Sequence, residues 1–470
     1  MPARLLLIAS LLAGPAFAAN PDPRGLIPTE RPRVTNGPAC GNAVPAGPLA
    51  LPDLVDLALC RNPATAAAWA SVRSAAAGVG IARAANLPTA TVSVGPTLSR
   101  TDFFRNDSFS SGGQTFTTTG GGTDFGATAS LALDYLIFDF GGRRARIDSA
   151  RASQAAALAS FADTAQGVAL DTVTAFNAVT AGVASVTAAR ASVEFARSSF
   201  DTARAREIAG VATPSDRLQA RSSLAQAELT LTQAEGDLRT SQGQLATVVS
   251  LPPSTRLALA APPALPATTR LTGDVDALIA EAERLRPDIL SQRAQLDAAA
   301  AQVRAARSDA RPSVSANGSN SVSALGGSND RNSASIGLSL NIPLFNGGSR
   351  RYAVTQAEAE RDRAAAVTEQ VRQQAGLDVF TNHTALDTAI RSLATARILI
   401  ESSVAAADIA QGRYKAGVGT FTDLLNAQSQ LASARQQLVQ AEFDVRTRQA
   451  QLARAIGGIG AEVDAMRTGR

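Results

Sequence analysis

The chain has 470 residues, 45% of them hydrophobic but only 4% aromatic, and about a fifth of all positions are alanine; such a composition suits closely packed Ala-rich helices better than the aromatic-filled core of a large enzyme. With one histidine, His383, and two cysteines, Cys40 and Cys60, metal centres and Ser-His-Asp or Cys-His catalysis have almost nothing to work with, so no metal, cofactor or enzymatic chemistry is expected. The net charge of +4 comes from 44 basic residues interspersed with 40 acidic ones, without the basic stripe and aromatic platforms that nucleic-acid binding uses.

Residues 1–18 read as a secretory signal: Arg4 is the positive start, Leu5–Ala13 a short apolar run and Ala16-Phe17-Ala18 an A-x-A cleavage site. No cysteine follows the cleavage point, so no lipid anchor is expected at the new N-terminus. No later stretch offers the roughly 20 uninterrupted apolar residues of a membrane helix, which leaves a periplasmic, secreted or outer-membrane β protein. Residues 19–52 form a Pro/Gly-rich arm. An oxidising compartment favours a Cys40–Cys60 disulfide that staples this arm, the alternative being two unpaired thiols.

From residue 53 the chain repeats itself. Asn62-Pro63 and Leu87-Pro88 recur 224 positions later as Arg286-Pro287 and Arg311-Pro312, each pair bracketing an Ala-rich helical stretch, and helices are expected near Asp53–Asn86 and Asp274–Ala310. Further on the displacement is 207: Phe138-Asp139 with Gly141-Gly142-Arg143 matches Phe345-Asn346 with Gly348-Ser349-Arg350, and Ala209-Gly210-Val211-Ala212-Thr213 matches Ala416-Gly417-Val418-Gly419-Thr420. The first copy therefore carries about 17 extra residues, which fall in a Gly/Ser/Thr-rich loop at 103–123. Two copies, 53–250 and 274–457, are expected, joined by a Pro-rich equatorial segment, 251–273, and followed by a C-terminal tail, 458–470.

Within each copy two segments switch to a two-residue period. In Asp124–Tyr135 and Ser333–Ile342 apolar residues alternate with small or polar ones, and weaker partners precede them at Thr89–Ser99 and Ser313–Val322. Four strands of about 10 residues, apolar on one face, read as transmembrane barrel strands or as a soluble half-buried sheet. From about Arg143 to Ala209 and from Arg350 to Ala416 there is no proline, so each stretch predicts a helix of roughly 100 Å at 1.5 Å per residue. Returning helices follow at about Ser215–Ser250 and Thr422–Ile456. Leu224, Leu231, Leu238 and Leu245, and in the second copy Leu431, Leu438, Val445 and Leu452, fall seven apart with a smaller residue three positions after most of them. Such large-then-small heptads let antiparallel helices pack knobs into holes.

Four strands cannot close a barrel, since bacterial barrels need at least 8, and an open amphipathic sheet leaves unsatisfied edges in lipid. The expected fold is an internally duplicated α+β membrane protein. Several chains must share one barrel, and a trimer of these four amphipathic strands per chain would give a 12-stranded outer-membrane β-barrel continuing into a long α-helical coiled-coil tunnel, which the resemblance given below sets in the periplasm.

The duplicated helix–strand–strand–helix order, the turns Phe138-Asp139-Phe140-Gly141-Gly142-Arg143 and Phe345-Asn346-Gly347-Gly348-Ser349-Arg350, and the segment from Tyr414 to Gln428 resemble the TolC-type outer-membrane efflux proteins. The resemblance covers essentially all of the mature chain. Ala58-Leu59-Cys60-Arg61-Asn62-Pro63 followed by Trp69 is similar to the CyaE-like branch associated with type I secretion.

The resemblance implies a homotrimeric exit duct in contact with outer-membrane lipid. It would work with a periplasmic adaptor (membrane fusion) protein and an inner-membrane ABC or proton-driven pump, with no nucleic acid. It implies that the hairpin tips Gly210, Val211, Ala212, Thr213 and Gly417, Val418, Gly419, Thr420 meet the adaptor; helix C-caps are their other role. It also places a periplasmic gate at Asp423, Tyr414, Asn426 and Asp216. Three copies of Asp423 would form one acidic ring whose members raise one another's pKa and attract cations, with Asn426 standing where relatives often have a second Asp. An ordinary surface Asp is the competing reading. Some relatives place an Arg in the reversal where this chain has Gly419, so a charged latch would come from Arg413 or Lys415. His383 reads as a helix-packing residue rather than a ligand. The other reading of the whole chain is a non-channel extended coiled-coil surface or structural protein, which the heptads suit and the strands do not.

Overall fold

The computed structural model describes residues 22, 25–32, 35, 47–101, 108–111, 114–117, 122–261, 273–325 and 331–468. The signal segment, Cys40 with most of the N-terminal arm, much of the 103–123 loop and residues 262–272 of the inter-repeat segment lie outside the described residues. Cys60 is disulfide-bonded.

Each copy begins with a broken helix. The sequence leads one to expect single helices near Asp53–Asn86 and Asp274–Ala310, but the structure has α1 (Leu51–Arg61) and α2 (Pro63–Ala84) in the first copy. In the second it has α5 (Val275–Leu285) and α6 (Pro287–Asp309). The breaks fall on the residue before a proline, which proline's ring pushes out of the helical region. Asn62 sits at φ −63°, ψ 129° and Arg286 at φ −65°, ψ 123°. Each breaking residue also donates from its side chain to the last turn of the returning helix in its own copy. Asn62 Nδ2 reaches the Val248 carbonyl at 3.1 Å and Arg286 Nη1 the Ala455 carbonyl at 3.3 Å.

The chain divides into two compact units. One includes Ser74–Gln154 and Gln295–Ala365 and holds a four-stranded antiparallel sheet ordered β1 (Thr89–Thr101), β4 (Gly122–Phe138), β5 (Ser313–Leu325) and β6 (Arg331–Asn341). The strands run 13, 17, 13 and 11 residues, longer than the alternation alone suggested. Between β1 and β4 the expected loop contains a hairpin, β2 (Ser108–Ser111) paired with β3 (Gln114–Thr117). Phe and Thr favour extended backbone, and Phe109 pairs with Phe116 in the register. The duplication extends to the register. Thr89↔Asp134 in the first copy becomes Ser313↔Asn341 in the second, each residue displaced by the offset of its own segment.

The second unit includes Thr29–Arg73, Ala155–Ala294 and Ala366–Arg470. Two helices of 67 residues, α3 (Gly142–Ile208) and α7 (Ser349–Lys415), contribute most of their length to it. Each is answered by a shorter helix, α4 (Pro214–Val248) or α8 (Phe421–Ile456). Residues 459–468, expected as a tail, form α9 (Ile459–Thr468), whose Ile459 and Val463 join a core with Leu54 and Val55 of α1 and Val173 and Phe176 of α3. The segment before α1 is tied to the described part of the inter-repeat stretch, Leu49 N–H donating to Ala258 O at 2.8 Å and Ala260 N–H to Leu49 O at 2.9 Å. By length and composition α3 is apolar enough to cross a membrane, yet its Val168, Val173, Phe176 and Val179 enter this protein core.

The two heptad seams are unequal. In α8, Leu431, Val445 and Leu452 are buried with Ala434, Ala441 and Ala455. In α4 only Leu245 of the four leucines is buried; Leu224, Leu231 and Leu238 are half-exposed.

Candidate functional site

The α3–α4 and α7–α8 hairpins reverse in the same way. Gly210 at φ 74° and Gly417 at φ 81° take the left-handed backbone that ends a helix and favours glycine. Beyond them Val211 N–H closes onto Arg206 O at 2.9 Å, and Val418 N–H onto Arg413 O at 3.0 Å. Both returning helices then start on a threonine cap: Thr213 Oγ1 accepts from Asp216 N–H at 3.3 Å, and Thr420 Oγ1 from Asp423 N–H at 3.1 Å. Gly210, Val211, Thr213, Gly417, Val418 and Thr420 are exposed, and Ala212 and Gly419 are half-exposed.

Asp423 closes a capping box, its Oδ2 accepting from the Thr420 N–H at 3.3 Å. Hydrogen bonds from the Thr420 side chain and backbone, with Arg413 nearby, hold its carboxyl below the ordinary aspartate range. This is opposite to the upward shift expected of mutually repelling carboxylates, because within one chain the cap stabilises the charged form. Asn426 lies one turn on and is exposed, while Asp216 is half-buried.

Tyr414 is only 2% exposed. Its ring meets Phe421 edge-on, centroids 5.3 Å apart, in a cluster with Ala203, Ala220 and Leu424, flanked by Phe195 and Phe200. Its hydroxyl has no hydrogen-bond partner among the described residues. Burial, then the charge of Asp216, pushes its pKa up against the opposing pull of Arg206.

Arg206, in the last turn of α3, was missed by the sequence reasoning. Its guanidinium lies 4.8 Å from the Tyr414 ring centroid, and Nη1 donates to the Tyr414 carbonyl. Arg413 and Lys415, from which a charged latch was expected, are both exposed; the guanidinium that lies against Tyr414 comes from the other hairpin. The available signal was positional, since Arg206 stands 207 residues before Arg413 and so occupies the same place in its own tip. A Cβ at Gly419 would lie 3.0 Å from Arg413 Cβ and 3.3 Å from the Tyr414 nitrogen, so a side chain there would require its neighbours to give way by a few tenths of an ångström. The first hairpin is also closed by Arg217 Nε on Glu207 Oε2 at 2.6 Å.

Among the described residues no group of three or more His, Cys, Asp or Glu side chains is placed to hold a metal ion. His383 is half-buried in α7, and its Nε2 has no partner among the described residues. The site gathers charge, an aromatic stack and helix caps at two tips, an arrangement suited to holding two hairpins together rather than to bond chemistry.

The model of a protein family described as outer membrane efflux protein matches residues 54–250 and 278–458. Protein CyaE of Bordetella pertussis is 33% identical over 420 residues, covering 88% of this chain and 85% of its own. The outer-membrane channel OprN superposes with a TM-score of 0.74 at 25% identity, over 87% of this chain and 90% of its own. The outer membrane protein VceC of Vibrio cholerae superposes with a TM-score of 0.73 at 22% identity, over 87% and 96%.

Proposed function

Because the chain belongs to the outer membrane efflux protein family, we propose that it is the outer-membrane exit duct of a tripartite export system, passively conducting what an inner-membrane pump delivers. The observation that carries this reading is the sheet: four strands long enough to cross an outer membrane, apolar on one face, with β1 and β6 as its outer strands. Lipid tolerates no unpaired strand edge, so β6 of one copy must pair with β1 of the next. Three copies then make a barrel of 12 strands, within the range that bacterial barrels adopt.

A periplasmic adaptor docks on the tips Gly210–Thr213 and Gly417–Thr420, and an ABC or proton-driven pump supplies energy. The resemblance to the CyaE-like branch, together with 33% identity over most of both chains, supports a type I secretion partner. The gate lies where the tips converge. Asp423, Asp216 and Asn426 face the mouth, and the Arg206–Tyr414 stack couples the two hairpins of each copy.

Planar-bilayer recording of the purified mature protein tests this reading. Discrete, long-lived conductance steps that grow when the tips are loosened are expected. A trimer that inserts but passes no current under any condition would leave only the extended coiled-coil reading.

A further inference from the structure

The two faces of the sheet carry different chemistry. Leu131 and Leu133 on β4, Val92 and Val94 on β1, and Ile336 and Leu338 on β6 are exposed on one face. The opposite face is a ladder of hydroxyls, with Ser93 and Ser130 joined at 2.8 Å, Ser319 and Ser335 at 2.8 Å, and Ser315 and Ser339 at 3.0 Å. In a barrel the first face meets lipid and the second meets the water of the lumen.

A carboxylate interrupts the hydroxyl face at its α3 end. Asp134 lies near the end of β4 that leads into α3, opposite Thr89 on β1 and Asn317 on β5. Its Oδ1 accepts from Asn317 Nδ2 at 2.7 Å, and Asn317 Oδ1 in turn accepts from Ser339 Oγ at 2.8 Å. This neutral amide relay fixes the direction of the carboxylate without cancelling its charge. By strand parity the other ionisable positions on this face are Asp124 and Arg331, both at the far end of their strands. No lysine or arginine stands on the same face at the α3 end of the four strands.

We propose that Asp134 is a charge-selecting residue of the duct, three copies forming a carboxylate ring inside the barrel that favours small cations over anions. The proposal rests on the exit-duct reading, which supplies the lumen and the three copies. Fixed charges in a narrow aqueous passage with low-dielectric walls focus their field along it. The field fades over a Debye length of about 8 Å at physiological ionic strength, so the selectivity grows as salt is lowered.

The test is the reversal potential of the purified trimer in planar bilayers under a KCl gradient, in the native background and with the tip carboxylate removed by Asp423→Asn. Asp134→Asn, which keeps the shape and an acceptor for Asn317, is expected to lower the K⁺/Cl⁻ permeability ratio about twofold at physiological salt and more at low salt. Ser130→Asp, adding a carboxylate on the same face, is expected to raise it, which keeps the proposal testable if the first variant assembles poorly. Intact conductance with an unchanged ratio in both variants at low salt overturns the role of Asp134 and leaves the duct standing. A native trimer that passes no current overturns the duct itself, and the lumen ring with it.

Discussion

Arg206 binds Tyr414 in two ways, through the ring face and through the carbonyl, and both bonds join one hairpin to the other. Removing the guanidinium by Arg206→Ala therefore loses a partly desolvated cation–π contact and a charge-assisted hydrogen bond, together about 1–3 kcal/mol of local stability. Faster proteolysis near Gly210 and a higher open probability in bilayers are expected; unchanged gating would remove Arg206 from the latch. Tyr414→Phe is the informative companion. The hydroxyl has no partner among the described residues, so its loss should change stability by less than about 0.5 kcal/mol unless a neighbouring copy uses it. Asp423 makes a pH prediction whose sign follows from its cap. Its folded pKa lies below the ordinary value, so the charged carboxylate stabilises the second tip fully above about pH 4, and that contribution is lost as pH falls through the lower folded value. A spin label at Val418 should show constant mobility from pH 8 to 5 and loosening only in stronger acid. Loosening near neutrality would indicate instead a carboxylate raised by its symmetry mates.

At the scale of elements, periodicity located the long helices to within a residue or two, because 67 residues without proline and a steady heptad leave little choice. It did not locate the breaks at Asn62 and Arg286, although the prolines were in view, since Ala-rich sequence runs on helically past them. The hairpin Ser108–Thr117 was hidden for a different reason: each strand is only four residues long with a single Phe, too short to show a two-residue period. The Arg206 contact was hidden because it depends on how two hairpins are set side by side, a tertiary fact that no local pattern encodes. Where the duplication is complete it predicts more than it was asked to. The strands β4 and β5 join the two copies with Leu133 opposite Gly318; displacing each by its offset places Leu340 opposite Val94 of the next copy. Cysteines at Leu340 and Val94 should therefore give disulfide-linked trimers, since directly opposed Cβ atoms lie about 4.5–5.5 Å apart. Cysteines at Leu340 and Gly95 should not. Cross-linking in the slipped pair alone would show that the barrel closes in another register.

For the whole molecule the question is which exposed apolar surface belongs to water and which to another copy. The apolar side of the sheet is accounted for by lipid. The helices carry further stripes outside the sheet. Leu218 and Leu229 on α4 stand eleven residues apart, as do Ile398 and Ile409 on α7, and all four are more than half exposed in the single chain. A spacing of eleven returns nearly to the same helix face after three turns, so each pair is a stripe rather than scattered residues. Two stripes on different helices suit a side-by-side ring of copies, in which α4 of one chain covers α7 of the next. This view also accounts for the scarcity of aromatic residues, because thin walls of Ala-rich helices surround water and close on neighbouring chains rather than on a thick interior. Leu229→Lys and Ile398→Lys, made separately, should leave the helical content of each chain unchanged, since neither side chain is buried within it. Each should abolish or sharply weaken the trimer, because a lysine enclosed between copies is left without a partner. Light scattering in detergent reads the outcome directly. A trimer that survives both substitutions would mean that the stripes face solvent, and the closure of the helical wall would then have to rest on the polar faces of α4 and α7.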